Sequence, residues 1–137
     1  MKIGELSKLT GCEVVTIRYY EKKGLLPHPK RTGSNYRTYE QAHAERLKFI
    51  RFCRSLDISL HDIGKLLELR DRPTMACGEV DDLIDTHILQ IETRIAELQQ
   101  LKEQLLTIRH ACEGGRSIAS CEILKQLSSG TPAQAGN

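Results

Sequence analysis

Residues 3–26, IGELSKLTGCEVVTIRYYEKKGLL, decide the fold. Ile3, Leu6 and Leu9 recur at the spacing of one helix face, Gly11 offers a tight turn, and Val14, Ile17 and Tyr20 open a second periodic run reaching about Lys23. The pattern predicts helix, turn, helix. Gly24 stands where a left-handed C-terminal cap belongs, and Leu25, Leu26 and Pro27 then send the chain along an extended path. Spacing assigns Tyr20 to the core and leaves Glu13, Thr16, Arg18, Tyr19 and Lys22 on the outer faces of the second helix, a chemistry suited to a phosphate-lined major groove.

Downstream, residues 31–39 (RTGSNYRTY) place Gly33, Ser34 and Asn35 between two short segments rich in Thr, Tyr and Arg, the pattern of a β-hairpin wing. Arg31, Tyr36 and Arg37 are the side chains there that would grip phosphates. From Glu40 to Leu56 a helical pattern built on Leu47, Ile50 and Cys53, with Phe49 and Phe52 beside them, carries Arg46, Lys48, Arg51 and Arg54 as a basic face. Charge supports a nucleic-acid role for this half. Residues 1–55 hold 12 Lys and Arg against 5 Asp and Glu, whereas residues 56–137 hold 8 against 13. All six aromatic side chains also fall in the basic half.

The order IGELSKLTGC, VVTIRYYEKKGLL, NYRTY and the helix from Arg46 to Leu56 resembles the MerR family of winged-helix transcription regulators. The resemblance implies a dimer that binds an overlong promoter spacer. It also implies that an effector makes the protein distort the DNA, so that RNA polymerase can engage both promoter elements. Carried over by position, it implies that Thr16, Arg18 and Tyr19 are recognition-helix contacts and that Arg31, Tyr36 and Arg37 are wing contacts.

The second half has a different architecture. Ser59 with Asp62 matches a capping box at the start of a short helix whose apolar side is Ile63, Leu66, Leu67 and Leu69, ending before Pro73. Apolar residues then recur from Val80 through Ile84, Ile88, Ile91, Ile95, Leu98, Leu101 and Leu105 to Ile108, until Gly114-Gly115. This predicts one helix from Glu79 to Ala111, about 50 Å long at roughly 1.5 Å per residue. The repeated step of three at Ile95, Leu98 and Leu101 is a local slip that overwinds a supercoil. An apolar stripe of that length cannot be covered by its own chain, and a second copy of the helix is the simplest cover.

The cysteines select the direction of pairing. Five of them, an odd number, fit a reducing compartment and not a disulfide framework. Cys12, at the turn, and Cys53, on an apolar helix face, read as small core residues. Cys77 and Cys112 bracket the long helix, too far apart to share an ion within one chain, because thiolates on one metal lie roughly 4 Å from each other. An antiparallel helix pair brings Cys77 of one chain beside Cys112 of the other, and the loop EGGRSIAS can return Cys121 to the same place. The expectation is two symmetric sites of three thiolates. Cys77 also stands at a predicted helix N-terminus, where the backbone dipole favours an anion. Soft sulfur donors without carboxylate or imidazole partners favour thiophilic ions.

The segments ACGEVDDLIDTHI and HACEGGRSIASCEILKQL resemble the cadmium- and lead-responsive members of the family. That resemblance implies Pb(II) or Cd(II) as effector, with Hg(II) and Zn(II) as alternatives. Glu113, where zinc sensors carry a further Cys, demotes zinc. The expected organisation is a mainly α protein: a winged helix-turn-helix over 1–56, a linker helix and hinge over 57–78, and a dimerisation helix over 79–112 in an antiparallel coiled coil. A metal-binding loop with a short helix follows over 113–127, then a disordered tail over 128–137. No apolar run approaches the roughly 18 residues of a membrane span, and Met1 opens an amphipathic segment, so a cytoplasmic protein is expected. Enzymatic use of a Cys nucleophile is disfavoured, since His28, His43, His61, His87 and His110 form no catalytic motif. A non-regulatory, metal-buffering DNA-binding protein is the rival from another class.

Overall fold

The computed structural model describes residues 1–33, 36–112, 114–115 and 117–130. Its elements run α1 (Ile3–Thr10), α2 (Val14–Lys22), β1 (Lys30–Arg31), β2 (Arg37–Thr38), α3 (Gln41–Ser55), α4 (Leu60–Arg70), α5 (Gly78–His110) and α6 (Glu122–Ser129), with a short 3-10 turn at Ile118–Ser120 before α6. The chain divides into two compact units, Met1–Leu83 and Ile84–Asn137.

The first unit is built around Leu6, Ile17, Leu26, Tyr39, Leu47, Ile50, Ile58, Ile63 and Leu67, all nearly or fully buried. Each comes from the apolar face of its helix or from the extended segments between helices. Leu9 and Phe52, expected among the apolar faces, are instead substantially exposed. The turn from α1 to α2 uses Gly11 at φ +72°, a left-handed cap whose N–H donates to the Ser7 carbonyl at 2.9 Å. Gly24 takes the same region at φ +78° after α2.

The wing is a two-stranded antiparallel hairpin with Lys30 opposite Thr38 and Arg31 opposite Arg37. Its tip residues Ser34 and Asn35, expected in the turn, lie outside the described residues. The N-terminus is fastened to the residue that follows the wing. The Met1 ammonium donates to the Tyr39 carbonyl at 2.8 Å, and the Tyr39 N–H donates to the Met1 carbonyl at 2.7 Å. His43 starts α3: its Nδ1 accepts the Glu40 N–H at 3.0 Å while its Nε2 contacts the Pro27 carbonyl oxygen at 3.2 Å. This buried histidine is a structural clamp with both ring nitrogens occupied.

Three of the four basic residues expected to form one face of α3 do other work. Arg46 Nε donates to the Leu25 carbonyl at 2.6 Å, Arg51 Nη1 to the Thr10 carbonyl at 2.8 Å, and Arg54 Nη1 to the Ile58 carbonyl at 2.7 Å. At about 100° per residue these positions spread around the helix and do not align. Each guanidinium satisfies a carbonyl at an element end, tying α3 to its neighbours.

Helix α4 starts where the Ser59 hydroxyl accepts the Asp62 N–H at 3.2 Å, the N-cap half of the expected capping box. Ile63, Leu66 and Leu67 enter the same core as α1–α3, and Val80 and Leu83 of α5 pack against it. The segment read as linker and hinge therefore belongs to the first compact unit.

Helix α5 spans 33 residues and buries none of them. Between Ile84 and Leu106 its apolar side chains remain in water, from Ile84 at 37% exposed to Leu105 at 64%. Among the described residues no helix is long and apolar enough to cross a membrane. Helix α6 ends at Ser129 with Gly130 at φ +66°, so Ser128 and Ser129 are helical where a tail was expected; residues 131–137 lie outside the described residues.

Gly11 supports a direct test. A Cβ there would lie 2.2 Å from Arg51 Nη1, and the positive φ disfavours any L side chain. Gly11→Ala is expected to cost about 2 kcal/mol, combining backbone strain with displacement of Arg51 from the Thr10 carbonyl. Urea unfolding checks the value.

Candidate nucleic-acid interface and metal centre

Helix α2 presents Val15, Arg18 and Tyr19 to solvent, with Thr16 half-buried beside them. Lys23 Nζ stands 5.6 Å above the Tyr19 ring, adding charge to that face. On the wing, Arg31, Tyr36 and Arg37 are exposed, and Lys2 Nζ lies 5.6 Å from the Tyr36 ring. The structure thus places all six expected DNA-contact residues in the first compact unit, none of them in its core.

Glu21 holds helix and wing together, a part that sequence reading missed. It is on α2 yet only 5% exposed. The Tyr39 hydroxyl donates a short hydrogen bond to Glu21 Oε1, and Arg37 Nη1 sits 3.4 Å from Glu21 Oε2. Arg37 therefore braces the wing internally as well as facing outward. Burial and the adjacent Glu21 carboxylate push the Tyr39 hydroxyl up to about 12. The signal was present in the sequence: Glu21 follows Ile17 by four residues and so falls on the apolar face of its helix.

The five cysteines separate into two groups. Cys12 and Cys53 are buried, and burial alone pushes the Cys53 thiol up. Cys77 is exposed, whereas Cys112 and Cys121 are half-buried. Cys77 immediately precedes α5, and its carbonyl accepts the Asp81 N–H at 2.9 Å. An apolar cavity of about 330 Å³ reaches it, lined by Phe49, Leu66, Leu69, Met75 and Val80 among others. Cys112 follows α5, its carbonyl accepting from Arg109 Nη1 at 3.1 Å. Cys121 caps α6, and its carbonyl accepts the Lys125 N–H at 3.2 Å. Glu113 lies outside the described residues. Among the described residues of one chain, no three His, Cys, Asp or Glu side chains converge to hold an ion.

An exposed recognition helix, a hairpin wing and a long helix with an uncovered apolar stripe define a winged helix-turn-helix regulator. Comparison with known proteins specifies which. Residues 1–69 match the model of the MerR HTH family regulatory proteins, and residues 44–108 match that of the MerR DNA-binding region. The chain belongs to the MerR family.

It is 49% identical over 109 residues to a ZntR homolog, an HTH-type transcriptional regulator of Haemophilus influenzae, covering 80% of this chain and 81% of that one. The crystal structure of the transcription regulator PbrR691 from Ralstonia metallidurans CH34 in complex with lead(II) is 47% identical, with a TM-score of 0.85 and coverage of 93% and 98%. The MerR regulator of Bacillus megaterium MB1 in complex with mercury(II) is 31% identical, with a TM-score of 0.73 and coverage of 93% and 99%. Each of these relatives is a transcription regulator.

Tyr39→Phe leaves a buried carboxylate without its hydroxyl donor and is expected to cost about 1–3 kcal/mol at neutral pH. The wild type also carries a pH signature. Tyrosine in the unfolded chain ionises near 10, below its value in the folded protein, so this contribution is complete below pH 10 and is lost as pH rises through about 12. Chemical denaturation of both proteins between pH 8 and 12 should show their stabilities converging at the alkaline end.

Proposed function

We propose that the protein is a metal-responsive transcriptional regulator. It binds its promoter as a homodimer and activates transcription of metal-resistance genes when a soft divalent ion joins thiolates of both chains. The observation that carries the reading is the division of the cysteines: two are used up in the core, and the three outside it stand at helix ends. Cys77 and Cys112 flank opposite ends of a helix whose 33 residues rise about 50 Å. Only an antiparallel partner joins such positions, and the uncovered stripe of α5 calls for that partner. Covering the stripe stabilises association by on the order of 1.5 kcal/mol per side chain taken from water, and each chain contributes its own. In this arrangement Cys77 of one chain, with the partner's Cys112 and the partner's Cys121, holds each ion.

The proposed effector is Pb(II) or Cd(II). Likeness to a regulator crystallised with lead(II) over nearly the whole chain supports lead. Three sulfurs suit its three-coordinate pyramid, in which the lone pair fills the open side. A zinc-responsive reading is the second choice, favoured by the likeness to the ZntR homolog; mercury(II) is the third. Thr16, Arg18 and Tyr19 of α2 and Arg31, Tyr36 and Arg37 of the wing are the proposed contacts to double-stranded DNA. The regulator works in the cytoplasm with RNA polymerase. Metal must bind the activating conformation more tightly than the resting one, since an ion with equal affinity for both shifts neither population.

A promoter reporter titrated with each ion tests the reading. Cys77→Ser, Cys112→Ser and Cys121→Ser should each abolish induction while gel shifts show operator binding intact. Strong induction in Cys77→Ser would remove the two-chain site. Separately, Leu98→Asp, which puts a charge into the stripe of α5, should convert dimer to monomer in sedimentation and lower operator affinity more than tenfold.

A further inference from the structure

One carboxylate stands beside Cys77. Cys77 Sγ lies 3.9 Å from Asp81 Oδ2. The first turn of α5 fixes this spacing, because the Asp81 N–H donates to the Cys77 carbonyl at 2.9 Å and residues four apart share a helix face. Both side chains are exposed. From Cys77 to Thr93 the chain has no Lys or Arg, yet it carries Glu79, Asp81, Asp82, Asp85 and Glu92. Among the described residues no basic side chain pairs with Asp81. The Cys77 thiol is thus its side-chain partner among the described residues, on a stretch of helix that attracts a cation.

We infer that Asp81 is an oxygen ligand to the ion held by Cys77, the partner's Cys112 and the partner's Cys121, completing a set of three sulfurs and one oxygen; the inference rests on the two-chain site proposed above. The distance fits the chemistry. An ion bonded to sulfur at about 2.3 Å and to a carboxylate oxygen at about 2.1 Å, with tetrahedral angles, holds the two donors about 3.6 Å apart, and a larger ion spreads them further. In the metal-free chain the carboxylate accepts the Cys77 S–H. On loading, the thiol proton leaves to solvent, the sulfur bonds the ion, and the same oxygen faces the cation. This replaces the purely soft donor set expected from the sequence with one carrying a hard fourth ligand. Such a set gives Cd(II) or Zn(II) a fourth ligand, whereas Pb(II), whose lone pair occupies the open side of a three-sulfur pyramid, leaves the oxygen unused.

The test uses the full-length dimer, titrated with Cd(II), Zn(II) and Pb(II) in competition with a chromophoric chelator. Asp81→Asn should lower Cd(II) and Zn(II) affinity about tenfold or more while Pb(II) affinity changes far less. Asp82→Asn makes the same charge change one residue away, off the Cys77 face, and should leave all three close to wild type. Asp81→Glu should recover part of the loss. Equal losses for Asp81→Asn and Asp82→Asn would overturn the inference, reducing it to the general field of the helix. So would an unchanged Cd(II) affinity in Asp81→Asn. Cys77→Ser separates the two readings: if it abolishes binding while Asp81→Asn is silent, Cys77 remains a ligand and the oxygen ligand falls. If Cys77→Ser binds as wild type, both fall.

Discussion

A helix of 33 residues that buries none of them is the constraint on which the rest depends. Side chains such as Ile88, Ile95, Leu98 and Leu105 left in water make a lone chain unfavourable, and the spacing of the stripe suits a second helix running alongside. Pairing also gives the exposed recognition helix a symmetric counterpart, which is what a two-fold DNA site requires. In the proposed dimer, the pairing that removes apolar surface from water also builds the ion site. Association and sensing are then consequences of one contact.

The DNA-reading unit is made stiff by polar ties at its edges. Arg46, Arg51 and Arg54 each close a carbonyl at an element end, and Glu21 joins α2 to Tyr39 and Arg37 of the wing segment. The Glu21–Tyr39 tie is buried, so breaking it strands a donor and an acceptor, whereas the part-buried arginine ties close carbonyls at the edge of the core. Cys77 belongs to this same compact unit, together with α4 and the first turn of α5. In the proposed site, an ion bound at Cys77 would pull directly on the body that carries α2. That is the property a ligand-driven switch needs.

Much of this was legible in the sequence because local rules and the tertiary fold agree. Gly11 and Gly24 end helices as their backbone freedom predicts, Ser59 caps α4, and α5 lies within a residue of its expected bounds at each end. Cys12 and Cys53 are core residues, as their positions suggested. The failures share a cause. Lys48, Arg51 and Arg54 are exposed as a basic helix face predicts, but the carbonyls that Arg46 and Arg51 reach lie 21 and 41 residues away, which no local pattern reveals. Glu21 is not legible locally, because a carboxylate on an apolar face is unexpected until its partners, 16 and 18 residues distant, are in place. The Cys77–Asp81 contact is the reverse case, because a four-residue offset on one helix is itself a local pattern.

The two-chain site can be tested most directly by complementation. A heterodimer of a Cys77→Ser chain with a Cys112→Ser/Cys121→Ser chain contains one complete set of thiols only if the ligands come from different subunits. Metal stoichiometry measured on the purified heterodimer should be one tightly bound ion per dimer, with neither mutant homodimer binding any. A heterodimer that binds no ion, while the wild type binds two, would contradict the account.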